Sequence, residues 1–179
     1  MWYPAVDTDG VSAEPVSLAE AKKQVHAEYH TDDDAHLERL ISAARDHVER
    51  YTGTRIAERT VTVKCDGFGD FEWFPETPVQ SVAITYVDPD GAEQTLADTV
   101  YELRADGLNA SIVLKYGQNW PAIRLGSRIT VTAAVGYETA PPAIKQAVLV
   151  FIADAFEQRE NVKSDGRTAF DDLLSNFRR

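Results

Sequence analysis

Between residues 37 and 51, the apolar side chains Leu37, Leu40, Ile41, Ala44, Val48 and Tyr51 recur at the i, i+3, i+4, i+7 spacing that gathers them on one face of a helix. Glu38, Arg39, Arg45, Asp46, Glu49 and Arg50 fill the other positions. Thr31-Asp32-Asp33-Asp34 supplies N-cap candidates and puts negative charge at the positive end of the helix dipole, and Gly53 suits a left-handed C-terminal cap. An amphipathic helix is therefore predicted over 33–52. Upstream, Ser17-Leu18-Ala19-Glu20 reads as a capping box, and Leu18, Ala21 and Val25 continue a face, predicting a short helix over 18–28. Residues 1–15 show no period and contain Pro4, Gly10 and Pro15, so they read as an extended arm.

From residue 55 to 137 the period changes to two. Val61, Val63 and Cys65 alternate with Thr60, Thr62 and Lys64; Val82, Ile84 and Tyr86 alternate with Ala83 and Thr85; Ile129, Val131 and Ala133 alternate with Thr130 and Thr132. Further strands are expected near 71–74, 100–104 and 111–116. Asp88-Pro89-Asp90-Gly91 and Ala105-Asp106-Gly107 supply turn chemistry, and such short links favour an antiparallel sheet of about six strands.

Pro141-Pro142 closes this region and opens a helix predicted over 142–158. Its stretch Ala147-Val148-Leu149-Val150-Phe151-Ile152-Ala153 is apolar around the whole circumference, which calls for cover on all sides by a bundle or another subunit. Beyond the polar 161–166 segment, Phe170, Leu173, Leu174 and Phe177 share a face that must be buried, by a partner or by the chain's own bundle. Helices, then strands, then helices imply an α+β fold: a helical bundle formed by the N- and C-terminal helices with an inserted antiparallel β-sheet domain. The expected divisions are an arm over 1–16, the bundle over 17–53 and 141–179, and the β domain over 54–140.

Composition narrows the function classes. A chain of 179 residues buries roughly 70% of its unfolded surface, enough for a core without metals or disulfides. The longest apolar run, 147–153, is far short of the roughly 20 residues that cross a bilayer. The start carries no basic-then-apolar export pattern and Cys65 is the single cysteine, so synthesis in the cytoplasm is expected. The net charge of -11 argues against a broad DNA-gripping surface. It suits either simple solubility or a surface that lets DNA pass without holding it.

Catalytic and metal chemistry find no foothold. His26 and His30 have i, i+4 spacing, but the predicted helix ends within it and the remaining ligands of a zinc site are missing. Asp88-Pro89-Asp90-Gly91 lacks the acidic end of a calcium loop and reads as a turn. Cys65 faces inward by alternation, and no glycine-rich phosphate loop occurs. No catalytic, cofactor or metal residue is assigned. Phe71, Trp73, Phe74, Tyr116 and Trp120 form either core packing or a stacking platform for sugars or bases.

Many short stretches in order resemble the head-tail connector (adaptor) family of tailed bacteriophages and gene transfer agents. They are Ser17-Leu18-Ala19-Glu20-Ala21-Lys22, Asp32-Asp33-Asp34-Ala35-His36-Leu37, Ile41-Ser42-Ala43-Ala44-Arg45 and Tyr51-Thr52-Gly53 in the first helical region. Pro78-Val79-Gln80-Ser81-Val82, Tyr86-Val87-Asp88, Asp90-Gly91 and Trp120-Pro121 follow in the sheet region. Gly136-Tyr137, Pro141-Pro142-Ala143-Ile144-Lys145-Gln146-Ala147 and Phe156-Glu157-Gln158-Arg159-Glu160 complete the set.

The resemblance implies a structural virion protein of the neck, not an enzyme. Such subunits form a ring, usually of twelve, beneath the portal protein, extend the DNA conduit and meet a tail or stopper protein. DNA would pass through the lumen without specific binding. On this reading the subunit interface is expected at Arg39, Arg45, Leu149, Val150 and Ile152, and the portal contact at Phe170, Leu173, Leu174, Phe177, Arg178 and Arg179. Competing readings are another neck or tail-completion protein, and a carbohydrate- or host-surface-binding module built on the aromatic sheet.

Overall fold

A computed structural model describes residues 1–106, 109–158 and 168–178. The predicted turn at Gly107, the 161–166 segment and Arg179 lie outside them. The fold is α+β and divides into two compact units, Met1–Ser12 with Glu58–Gly136, and Ala13–Ala57 with Tyr137–Arg179.

The first unit holds the strands β1 (Val6–Asp7), β2 (Arg59–Cys65), β3 (Val79–Val87), β4 (Glu93–Thr95), β5 (Tyr101–Asp106), β6 (Asn109–Leu114) and β7 (Ile129–Val135). Five of them make an antiparallel sheet in the order β1-β2-β7-β3-β4, and β5 and β6 pair as a separate hairpin. The alternation read from the sequence sets the register. Val61, Val63 and Cys65 lie opposite Ala133, Val131 and Ile129, and Val131 also lies opposite Ile84 on its other side. All seven are fully buried. Tyr101, Ala110 and Ile112 of the hairpin join the same core.

The strand expected at 71–74 is instead a 3-10 turn, Phe68–Glu72. The Asp70 carboxylate accepts from the Asp66 and Gly67 amides and winds the chain there, so Phe71 and Phe74 enter the core three residues apart and not by strand alternation. The first twelve residues belong to this unit. The Trp2 indole stacks on Phe71 and meets Phe74 edge-on, with centroids at 5.8 and 5.2 Å, and β1 adds a short edge to β2.

The second unit holds α1 (Leu18–Gln24), α2 (Asp34–Thr52), α3 (Pro142–Glu157) and α4 (Ala169–Leu174), the last followed by a 3-10 turn over Ser175–Phe177. The capping box forms as the sequence specifies: the Glu20 amide donates to the Ser17 hydroxyl, and the Ser17 amide donates to the Glu20 carboxylate at 2.8 Å. These bonds hold the Glu20 carboxyl below its ordinary pKa. α1 stops at Gln24 instead of reaching 28 because His26 takes a φ of 57°, a conformation a right-handed helix cannot continue through. α2 ends at Gly53, φ 69°, whose amide donates to the Glu49 carbonyl at 2.9 Å, and the Glu49 carboxylate accepts from the Ile56 amide. Leu37, Ile41, Ala44 and Val48 form its buried face. α1, α2 and α4 all pack on α3 and cover part of its apolar circumference.

Candidate assembly interface

α3 presents two faces of different fate. Ile144, Ala147, Val148 and Ile152 are fully buried in the helical core with Leu37, Ile41 and Val48 of α2. Leu149, Val150 and Phe151 are only half-buried. Leu149 and Phe151 still lean on the core cluster, and Phe151 stacks against His47 of α2 at 5.0 Å. Val150 remains half in solvent outside that cluster, an aliphatic side chain with unspent apolar surface.

The five residues assigned to a subunit interface therefore separate. Ile152 belongs to the chain's own core, because the turn of α3 that carries it faces α2. Arg45 is engaged within the chain: its guanidinium lies 2.6 Å from Glu14 and 2.8 Å from Asp46, with the Ser42 hydroxyl donating to the same Glu14 carboxylate. Arg39 is exposed on α2, and Leu149 and Val150 are partly accessible on α3.

The C-terminal residues separate in the same manner. Phe170 sits among His47, Tyr51 and Phe151, with ring centroids at 5.2, 5.5 and 6.3 Å, and Leu174 is fully buried. The apolar face that the sequence leaves open between partner and bundle is thus covered by the chain's own bundle at these two positions. Leu173 and Phe177 are half-buried, and Arg178 is exposed with its guanidinium 5.4 Å from the Tyr51 ring centroid. The sequence pattern identifies the C-terminal segment as amphipathic but does not say which of Phe170, Leu173, Leu174 and Phe177 the bundle takes.

Chemistry elsewhere is structural. Among the described residues, no group of three or more His, Cys, Asp or Glu side chains is placed to hold a metal. Burial pushes the Cys65 thiol up to about 12, so it carries no thiolate to attack with. A thiol reagent at mildly alkaline pH is expected to label Cys65 only after denaturation; rapid labelling of the folded chain would contradict that burial. Of the five aromatics read from the sequence, Phe71 and Phe74 are buried and Trp120 meets Phe71 edge-on at 5.4 Å and stacks on Phe68 at 4.7 Å, whereas Trp73 and Tyr116 are exposed. No described helix is long and apolar enough to cross a membrane.

Residues 16–169 match the head completion protein family. No curated protein matches the sequence. Three solved structures share the fold. The neck of an empty gene transfer agent (GTA) particle, computed with C6 symmetry, superposes with a TM-score of 0.79 at 19% identity, covering 98% of this chain and 95% of that one. A chain of the virion of a native GTA particle gives 0.80 at 22% identity, with 97% and 94% covered. The neck of a native GTA particle, computed with C12 symmetry, gives 0.78 at 21% identity, with 98% and 95% covered.

Proposed function

The chain belongs to the head completion protein family, a family of structural virion proteins and not of enzymes, and on that premise we propose that it is a head-tail connector subunit of the virion neck. It assembles with copies of itself into a ring of twelve under the portal protein, extends the DNA conduit and offers a platform to a tail or stopper protein. The observation that carries this reading is the family match over 16–169, joined to a fold shared along nearly the whole chain with proteins of GTA necks. The ring number follows the C12 symmetry of one of those necks.

In this reading the N- and C-terminal helices make one bundle and the sheet is an insertion in it. The outer face of α3 at Leu149 and Val150, with Arg39 of α2, meets the neighbouring subunit. A half-exposed aliphatic strip on one helix and an exposed cation on another suit an interface that gains from burying a small apolar area and fixes its register by charge. Leu173, Phe177 and Arg178, the accessible part of the C-terminal segment, meet the portal. The net charge of -11 keeps DNA phosphates from adhering as they pass.

The double variant Arg39→Glu/Val150→Asp is expected to remain folded, because both side chains reach solvent, and to lose ring formation. Rings formed by that variant at wild-type concentrations would refute the assignment of this face.

A further inference from the structure

Two turns in the sheet unit are built alike. Lys115-Tyr116-Gly117-Gln118 and Arg124-Leu125-Gly126-Ser127 each run cation, apolar, glycine, polar. In each, the amide of the fourth residue donates to the carbonyl of the first at 3.0 Å, and the glycine takes a φ of 77°. A positive φ at the third position is what a type II turn requires and glycine supplies. The second residue is thereby held at the tip. Tyr116 is 105% exposed and Leu125 101% exposed, about as open as in an extended chain.

One exposed leucine means little by itself. Here two turns of the same chemistry, nine residues apart, each hold a large apolar side chain wholly out of the fold beside a cation. The loop is pre-organised: the Arg124 amide donates to the Val87 carbonyl, the Ser127 hydroxyl donates to the Arg124 carbonyl, and the Arg128 guanidinium lies 3.9 Å over the Tyr3 ring. An open cleft of about 390 Å³ adjoins the second turn, lined by Tyr3, Asp66, Arg124, Leu125 and Arg128 among others, with two cations to one acid. Pre-ordered anchors reduce the entropy lost on docking.

Charge selects the occupant. Residues 115–128 contain Lys115, Arg124 and Arg128 and no acid, in a chain whose net charge is -11. The rest of the chain is more acidic still, so a second copy presents complementary charge. The connection between α1 and α2 carries such charge: its stretch Glu28-Tyr29-His30-Thr31-Asp32-Asp33 holds three acids and no Lys or Arg. Glu28 and Asp32 are exposed, none of its three acids forms an ion pair among the described residues, and Tyr29 is 95% exposed. A basic loop with apolar tips and an acidic loop with an aromatic tip are different patches, so their pairing between copies is head-to-tail, the interface type that closes into rings.

We propose that the twin turns at Tyr116 and Leu125 dock onto the acidic 28–33 loop of the neighbouring copy. This rests on the ring reading and adds a second contact to the α3 face. The test is sedimentation velocity over a concentration series, alone and with the cognate portal protein. The variants are Tyr116→Ser/Leu125→Ser, Arg124→Glu, and Arg124→Glu combined with Asp32→Lys/Asp33→Lys, with circular dichroism checking the fold.

The serine variant and Arg124→Glu are expected to raise the midpoint concentration of assembly at least about tenfold, since like charges brought together oppose docking. The charge swap is expected to recover most of it. Assembly of Arg124→Glu at the wild-type midpoint, or a loss that the swap leaves unrepaired, would overturn the pairing while the wild-type ring stands. A wild-type chain that never associates, even on portal, would overturn this pairing and the ring reading together. Tight binding of the wild type to DNA or anionic vesicles, lost in Arg124→Glu while assembly is unchanged, would assign the turns to that ligand and overturn the pairing.

Discussion

Ile152→Asp is expected to lower the stability of the chain by more than about 4 kcal/mol, a large share of the roughly 5–15 kcal/mol that holds a domain of this kind folded. Ile152 is fully buried on the face of α3 that packs with α2, in a cluster with Leu37, Ile41 and Val48. An aspartate there loses the transfer energy of an isoleucine and must either bury an unpaired charge or take up a proton. Val150, two residues earlier on the same helix, is half-buried and outside the core cluster. The same substitution there is expected to change stability by less than about 1 kcal/mol while blocking self-association. Denaturant midpoints of the two single variants give the comparison. A mild Ile152→Asp beside a severe Val150→Asp would mean that α3 is turned the other way round.

Phe74→Ala is the second large effect, about 3–5 kcal/mol. The ring is fully buried, meets Trp2 edge-on at 5.2 Å, and shares its cluster with Phe71, Tyr101 and Ile112. The Phe74 amide donates to the Ala110 carbonyl at 2.7 Å, a bond alanine keeps, so the loss reports the cavity and not the backbone. Tyr116→Ala, by contrast, removes a side chain that touches solvent alone and is expected to stay within about 0.5 kcal/mol of wild type. Equal thermal shifts in the two variants would contradict the assignment of Phe74 to packing and Tyr116 to docking.

The elements that could be read from the sequence are those whose burial follows a single period. α2 buries Leu37, Ile41, Ala44 and Val48 from one stripe, and β2 and β7 alternate strictly, so their faces and even their register partners follow from the pattern. β4 could not be read because Glu93–Thr95 is exposed at every position; it exists only as an edge paired to the end of β3. The Phe68–Glu72 turn was obscured because its signal is the Asp70 carboxylate closing on two amides, a short-range cap that apolar spacing does not carry.

The proposed assembly surface was legible as a helix but not as a face. A segment apolar all round says that everything must be covered and gives no direction, so Ile152 and Val150 look alike until α2 is placed. Arg45 resembles Arg39 in sequence, but Arg45 is held by its neighbour Asp46 and by Glu14, far away along the chain, whereas Arg39 forms no ion pair among the described residues. The twin turns did leave a signal, the repeated order of cation, apolar residue, glycine and polar residue. What it lacks in sequence is exposure, which depends on where the sheet ends.

Imaging of the full-length chain by negative stain, with and without its cognate portal protein and alongside light scattering over a concentration series, tests the central claim most directly. Closed rings are expected, twelvefold on portal, carrying one copy of the chain per position. A chain that stays monomeric at every concentration and ignores the portal would contradict it.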